Sequence, residues 1–225
     1  AVESPVELQP ETVSGTVSLT EFDLYVPALL ILALMMLLFT AAGALIREKD
    51  KGTIIRLRLS NMRLLEWLTA VSTTQILVGL LALFLTYFTA YAVGYRSSGS
   101  LAAVMVVGGL TSLSVMAFSV LVAASLRTVF DLVTVGSFPF FILMFFSGGM
   151  FPLPGVPLFS WGERAIELNQ ILPTTHGIAA LERVLSFGVG LGDLGFELQA
   201  LVLLTALYFA LGTWIFTRRH MPAIG

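Results

Sequence analysis

From Tyr25 to Ile46 the chain reads YVPALLILALMMLLFTAAGALI, without one charged side chain. A helix needs about 20 such residues to cross the hydrocarbon core of a bilayer, where no water can satisfy an open backbone. Four more segments meet that requirement, at about 69–95, 101–126, 132–151 and 196–217. The whole chain of 225 residues is 57% hydrophobic and 12% charged, whereas a typical soluble domain carries about 25% charged residues. Too little polar surface is left to wrap these segments in water. The expected fold class is therefore all-α, a polytopic membrane protein with five transmembrane helices. Residues 25–219 are expected to form the transmembrane domain and 220–225 a cytoplasmic tail. Residues 1–24, with five acids and no bases, are expected to be the end of an extracellular segment.

Orientation follows from where Lys and Arg sit beside the spans. If the first span runs from outside to inside, the inner side holds Arg47, Lys49, Lys51, Arg56, Arg58, Arg63, Arg127, Arg218 and Arg219. The outer side then holds Arg96, Arg164 and Arg183. The basic stretch between the first two spans is thus expected in the cytoplasm of a multi-pass protein of the cell membrane. As a pure orientation signal it is longer than needed. It also interleaves Ile54, Ile55, Leu57, Leu59 and Met62 with Arg56, Arg58 and Arg63, the pattern of a helix lying at a membrane surface.

Several function classes lack their residues. The net charge of −2 does not suggest a nucleic-acid partner, there is no cysteine, and His176 and His220 make no metal-ligand spacing. No catalytic constellation is legible, so an enzyme is not expected. Ionisable groups at mid-membrane depth are missing as well, against the expectation for a proton- or sodium-coupled carrier. Arg127 and Asp131, four apart, are placed to pair on one helix face. The Phe-rich run 138–146 either lines an apolar path or faces lipid. Between the fourth and fifth spans, 152–195 reads as two short helices on either side of Pro173, too short to cross: an external helical hairpin with Trp161 at headgroup level.

Three stretches carry a resemblance. REKDKGT (47–53) follows a span and leads through a short basic helix to LLEWL (64–68); FFSGGMFPL (145–153) closes the fourth span; LNQILPTTHGIAALERVL (168–185) precedes the last. In this order they resemble the type-2 permeases of ATP-binding-cassette (ABC) exporters. Two departures stand out: the lysine that often follows the Trp-Glu stretch is absent from LLEWLTAVS, and the usual Thr-Pro turn is Ser60-Asn61.

The resemblance implies a permease subunit that lines a translocation pathway as a homodimer or heterodimer with a second permease subunit. It would move a hydrophobic or amphipathic substrate outward amid membrane lipids. Residues 48–61 would be the coupling helix contacting separate ABC ATP-binding subunits, with Glu48, Lys49, Gly52, Thr53, Arg56 and Arg58 as the coupling residues. No GxxxxGK[ST] phosphate loop occurs in the chain, so ATP and Mg are expected on the partner ATPase and no cofactor here. Gly148, Gly149, Pro152, Pro173 and His176 would form an exit cap and hinge. The family has six spans, so the resemblance also implies a first span ahead of Ala1. A competing reading is a non-transporting membrane scaffold or assembly factor whose basic helix binds anionic lipid; a secondary carrier or channel ranks below it.

Overall fold

A computed structural model describes residues 21–52, 64–149, 156–161 and 164–220. Helices α1 (Glu21–Met35) and α2 (Leu37–Asp50) form one apolar column. The offset between them lies at Met36, whose carbonyl accepts the N–H groups of both Phe39 (3.2 Å) and Thr40 (3.4 Å). Next come α3 (Leu64–Val93), α4 (Leu101–Ser125) and the short pair α5 (Val129–Thr134) and α6 (Ser137–Phe146). An antiparallel ribbon follows, β1 (Pro157–Trp161) with β2 (Arg164–Glu167), then α7 (Pro173–Phe187) and α8 (Gly195–His220).

Among the described residues, five segments are helical, long and apolar enough to cross a membrane: Tyr25–Asp50, Leu65–Val93, Leu101–Ser125, Val129–Phe146 and Gly195–Arg219. The protein is an all-α polytopic membrane protein. Its fourth segment is the shortest. At a rise of about 1.5 Å per residue it is about 27 Å long, close to the hydrocarbon thickness.

Helix α4 sits at the centre, flanked by α8, α2, α3 and α7. Its Val104, Val107, Met116 and Val120 are fully buried, as are Leu30, Ile31, Leu34, Leu38 and Leu45 of the α1–α2 column. The outer flanks are apolar and exposed, for example Leu77, Leu81 and Leu85 on α3, Phe138 on α6 and Leu203 on α8. In a bilayer, burying a leucine against protein gains little over burying it in lipid, so helices associate through close packing of small residues. The sequence supplies them. A Cβ on Gly212 would lie 2.8 Å from the backbone nitrogen of Leu121, and one on Gly79 would lie 2.5 Å from Ser112 Oγ.

Several hydroxyls inside the bundle are satisfied locally, though Ser114 Oγ is buried without a hydrogen-bond partner. The buried Thr111, Ser112 and Ser119 of α4 donate to the carbonyls of Val107 (2.8 Å), Gly108 (2.7 Å) and Val115 (2.8 Å), four residues back on their own helix. A hydroxyl without a partner in an apolar interior is costly; here the helix itself supplies the acceptor. Thr40 also links columns, donating toward Gln75 Oε1 of α3 (3.0 Å).

The segment between the fourth and fifth spans departs from expectation in its first half. The predicted pair of helices is one helix, α7, preceded by the β1–β2 ribbon and a 3-10 turn at Leu168–Ile171. The run PLFSW is too short for a helical repeat and pairs with RAIE instead. The second half is helical as its periodicity predicts. Pro173 occupies the first turn, where its missing N–H is not needed.

Candidate functional sites at the two ends of the bundle

At the basic end, α2 runs four residues beyond the predicted end of its span. Glu48 and Lys49 are therefore part of the membrane-crossing helix itself. The helix stops at Gly52, whose φ of +71° is a left-handed conformation that costs glycine nothing. Its N–H closes the last turn on Lys49 O at 3.0 Å. Glu48 and Lys51 form an exposed pair at 3.7 Å, a geometry worth at most about 1 kcal/mol. Lys49 turns the other way. Its Nζ donates to Arg127 O at 2.7 Å and approaches Leu126 O at 3.4 Å. Thr53, Arg56 and Arg58, and with them most of 48–61, lie outside the described residues.

The acceptors of Lys49 belong to the elbow between α4 and α5. A helix leaves the carbonyls of its last turn unpaired and partly negative, which favours cations. Arg219 of α8 meets one, its Nη1 donating to Ser125 O at 3.3 Å, while Lys49 bonds just past the helix end. The far side of the elbow is held by Asp131. Its Oδ2 accepts the N–H groups of Arg127 (3.1 Å) and Thr128 (2.9 Å), while Thr128 Oγ1 accepts from Asp131 N–H (3.1 Å). This is a capping box at the start of α5. The spacing of Arg127 and Asp131 suggested a side-chain pair on a helix face. The contact runs instead through the Arg127 backbone, because Arg127 precedes the helix. Trp67 of the LLEWL stretch is buried against Phe216 of α8, with ring centroids 6.2 Å apart.

At the other end, α6 stops where Gly148 adopts φ +81°. Gly149 is crowded: a Cβ there would fall 2.6 Å from Ile178 Cδ1 and 3.1 Å from Ala28 Cβ. The pair makes a helix end with a close contact to α7 and α1. Pro152 lies outside the described residues. His176, in the first turns of α7, is buried. Its Nε2 lies 2.8 Å from Gln170 O, which can only accept, so that nitrogen carries the proton. Burial pushes the imidazole pKa below its ordinary value, offset in part by the Gln170 carbonyl and the charge of Glu197. Phe196 meets the ring edge-on at 5.8 Å.

Four further fastenings hold α7 and the 3-10 turn. Thr174 donates to Leu143 O of α6 (3.3 Å) and Thr175 to Asn169 O (2.7 Å). Tyr208 of α8 donates to Ile171 O (2.8 Å). Arg183 bridges to Glu197 Oε1 at 2.8 Å and to Asp193 O at 3.0 Å. Sequence reasoning found neither Tyr208 nor the Arg183–Glu197 pair. An apolar cleft of about 430 Å³ opens between Ile142 and Phe146 of α6 and Leu168, Ile171 and Leu172. No group of three or more His, Cys, Asp or Glu residues able to hold a metal occurs among the described residues.

No curated protein and no solved structure matches the chain. The profile of the family described as ABC-2 family transporter protein does, over residues 3–214. That range takes in the first four membrane-crossing segments, α7 and most of the fifth segment, which runs on to Arg219. The chain belongs to the ABC-2 family of transporter proteins.

Proposed function

We propose that this permease subunit works as one of a pair in an ATP-driven exporter. It forms the translocation pathway with a second permease copy and receives its motion from separate ATP-binding subunits docked on residues 48–61 in the cytoplasm. The observation that carries the reading is the family match over nearly the whole chain, in a sequence with no phosphate loop of its own. The basic bundle end supports the cytoplasmic assignment through the excess of Lys and Arg beside the spans there. The apolar cleft bounded by α6 fits a hydrophobic or amphipathic cargo leaving at the opposite face. In this scheme α7 and the β1–β2 ribbon cover the exit, and His176 and Pro173 belong to the cover.

Purification in mild detergent tests the proposal. An ATP-binding-cassette ATPase should co-purify in a one-to-one ratio with the permease, and its hydrolysis should depend on the permease being present. A permease that purifies without any ATPase, yet retains its membrane location and binds vesicles rich in anionic lipid through 48–61, would mark a scaffold instead.

A further inference from the structure

The elbow between α4 and α5 is gripped from two sides at one residue. The N–H of Arg127 is taken by Asp131 Oδ2 (3.1 Å), and its carbonyl by Lys49 Nζ (2.7 Å). Lys49 sits three residues before Gly52, where α2 ends and the segment proposed to meet the ATPase begins. Below this contact α2 and α5 touch again: Leu132, buried at 3% exposure, lies 3.4 Å from where a Cβ on Gly43 would stand. Two attachments, one polar at the end and one apolar a turn and a half deeper, fix both the position and the tilt of α5 relative to α2. By contrast, the described basic end of α8 reaches the same elbow through a longer bond, Arg219 to Ser125 O at 3.3 Å.

We propose that Lys49 is a positioning residue that latches the end of α2 to the α4–α5 elbow, so that displacement of the 48–61 segment carries α5 and the aromatic α6 with it. Lys49 is thereby turned inward, onto the carbonyls of the elbow; it acts on the bundle and not on the ATPase surface. The direction of transmission rests on the proposed function, whereas the latch itself does not. Without it, α2 could move at its basic end while the elbow, closed on itself by the Thr128–Asp131 box, stayed in place. A cation suits the role because an ammonium group makes stronger, charge-assisted hydrogen bonds to the carbonyls of Arg127 and Leu126, which follow the last turn of α4. A lysine, with three donors on a flexible stem, can keep contact with Arg127 O and Leu126 O while the geometry changes.

The chain contains no cysteine, so pairs of spin labels can be placed cleanly at the exposed Asp50, Val133 and Thr217. Distances are read by pulsed electron resonance in lipid nanodiscs. In the permease alone, the Asp50–Val133 distribution should be narrow in the parent and in Lys49→Arg, and broadened and shifted in Lys49→Met. In the complex with its co-purified ATPase, trapping with ATP and vanadate should shift both Asp50 and Val133 relative to Thr217, with their mutual distance unchanged. Lys49→Met should keep the Asp50 shift and lose the Val133 shift. Lys49→Gln, which keeps a donor on a shorter stem, gives a smaller loss and serves if the Met variant does not fold. An unchanged Asp50–Val133 distribution in Lys49→Met, or a full Val133 shift in that variant, overturns the latch. Failure of any ATPase to co-purify would sink the exporter reading alone, and the measurement on the isolated permease would still decide the latch.

Discussion

Replacing Arg183 by methionine should loosen the cap from α8, and the size of the effect follows from the two ends of its ion pair. The Glu197 side chain is 12% exposed and that of Arg183 is 39% exposed. Glu197 Oε2 is buried with no hydrogen-bond partner, so Oε1 and its bond to Arg183 at 2.8 Å carry much of the compensation for burying this carboxylate. Removing one member of a fully buried pair costs about 3–5 kcal/mol, and removing one from an exposed pair about 0–1. With one partner shielded and the other two-fifths open, Arg183→Met should cost about 1.5–3 kcal/mol. The lost bond to Asp193 O is included in that figure. Glu197→Met alone should cost less, since the guanidinium left behind reaches water and keeps Asp193 O. The double replacement should recover most of the loss, because two apolar side chains of similar length leave no charge stranded. The assay is unfolding in mixed micelles with rising SDS fraction, read for all four members of the cycle. If Arg183→Met costs under about 0.5 kcal/mol, or if the two single losses simply add, the pair is solvated and does not fasten the cap.

Burial of His176 makes the cap acid-sensitive in a stated direction. With its folded pKa depressed, the unfolded state binds the proton first as pH falls through about 6.5, and stability is lost below that value by at most about 1.4 kcal/mol per pH unit. Thermal scans between pH 8 and pH 5 should show this loss, and His176→Gln should flatten it; an unchanged slope would mean another group is responsible. Gly177→Ala should cost about 1–3 kcal/mol by overpacking, since its Cβ would lie 2.7 Å from Thr111 Oγ1 and 2.8 Å from Thr111 Cγ2. Thr111→Ala in the same chain should restore part of that loss in a double-mutant cycle, and additive losses would contradict the assigned contact. Reversing charge at both Arg56 and Arg58 should leave membrane insertion intact while releasing the ATPase during co-purification. If only membrane abundance or orientation changes, 48–61 is a topology signal.

The five membrane-crossing segments were legible because uncharged runs of that length have no other stable home. Their ends were less so: Glu48 and Lys49 look like loop residues in sequence, yet α2 carries both. The ribbon before α7 was missed because short apolar runs such as PLFSW do not separate strand from helix, and its partner RAIE offers too few residues for a period. Thr128 and Asp131 carried a readable signal, the threonine and acid three apart that open a helix, and the spacing from Arg127 drew attention away from it. The contacts of Lys49 and Tyr208 were illegible for a different reason. Their acceptors are backbone carbonyls of Arg127 and Ile171, which every residue possesses, so no side-chain type marks the partner. Only the fold brings the two together.

The hydroxyls of α4 that bond back along their own helix have an electrical consequence. Each commits its proton to the carbonyl four residues earlier, and the acids and bases in the five crossing segments stand near the ends. A helix that tilts or slides within such a bundle carries almost no net charge through the field. One elementary charge crossing the full membrane potential is worth about 2.3 kcal/mol per 100 mV, and here there is next to nothing for that field to act on. Tilting or sliding of the described spans is accordingly expected to respond little to the voltage across the bilayer.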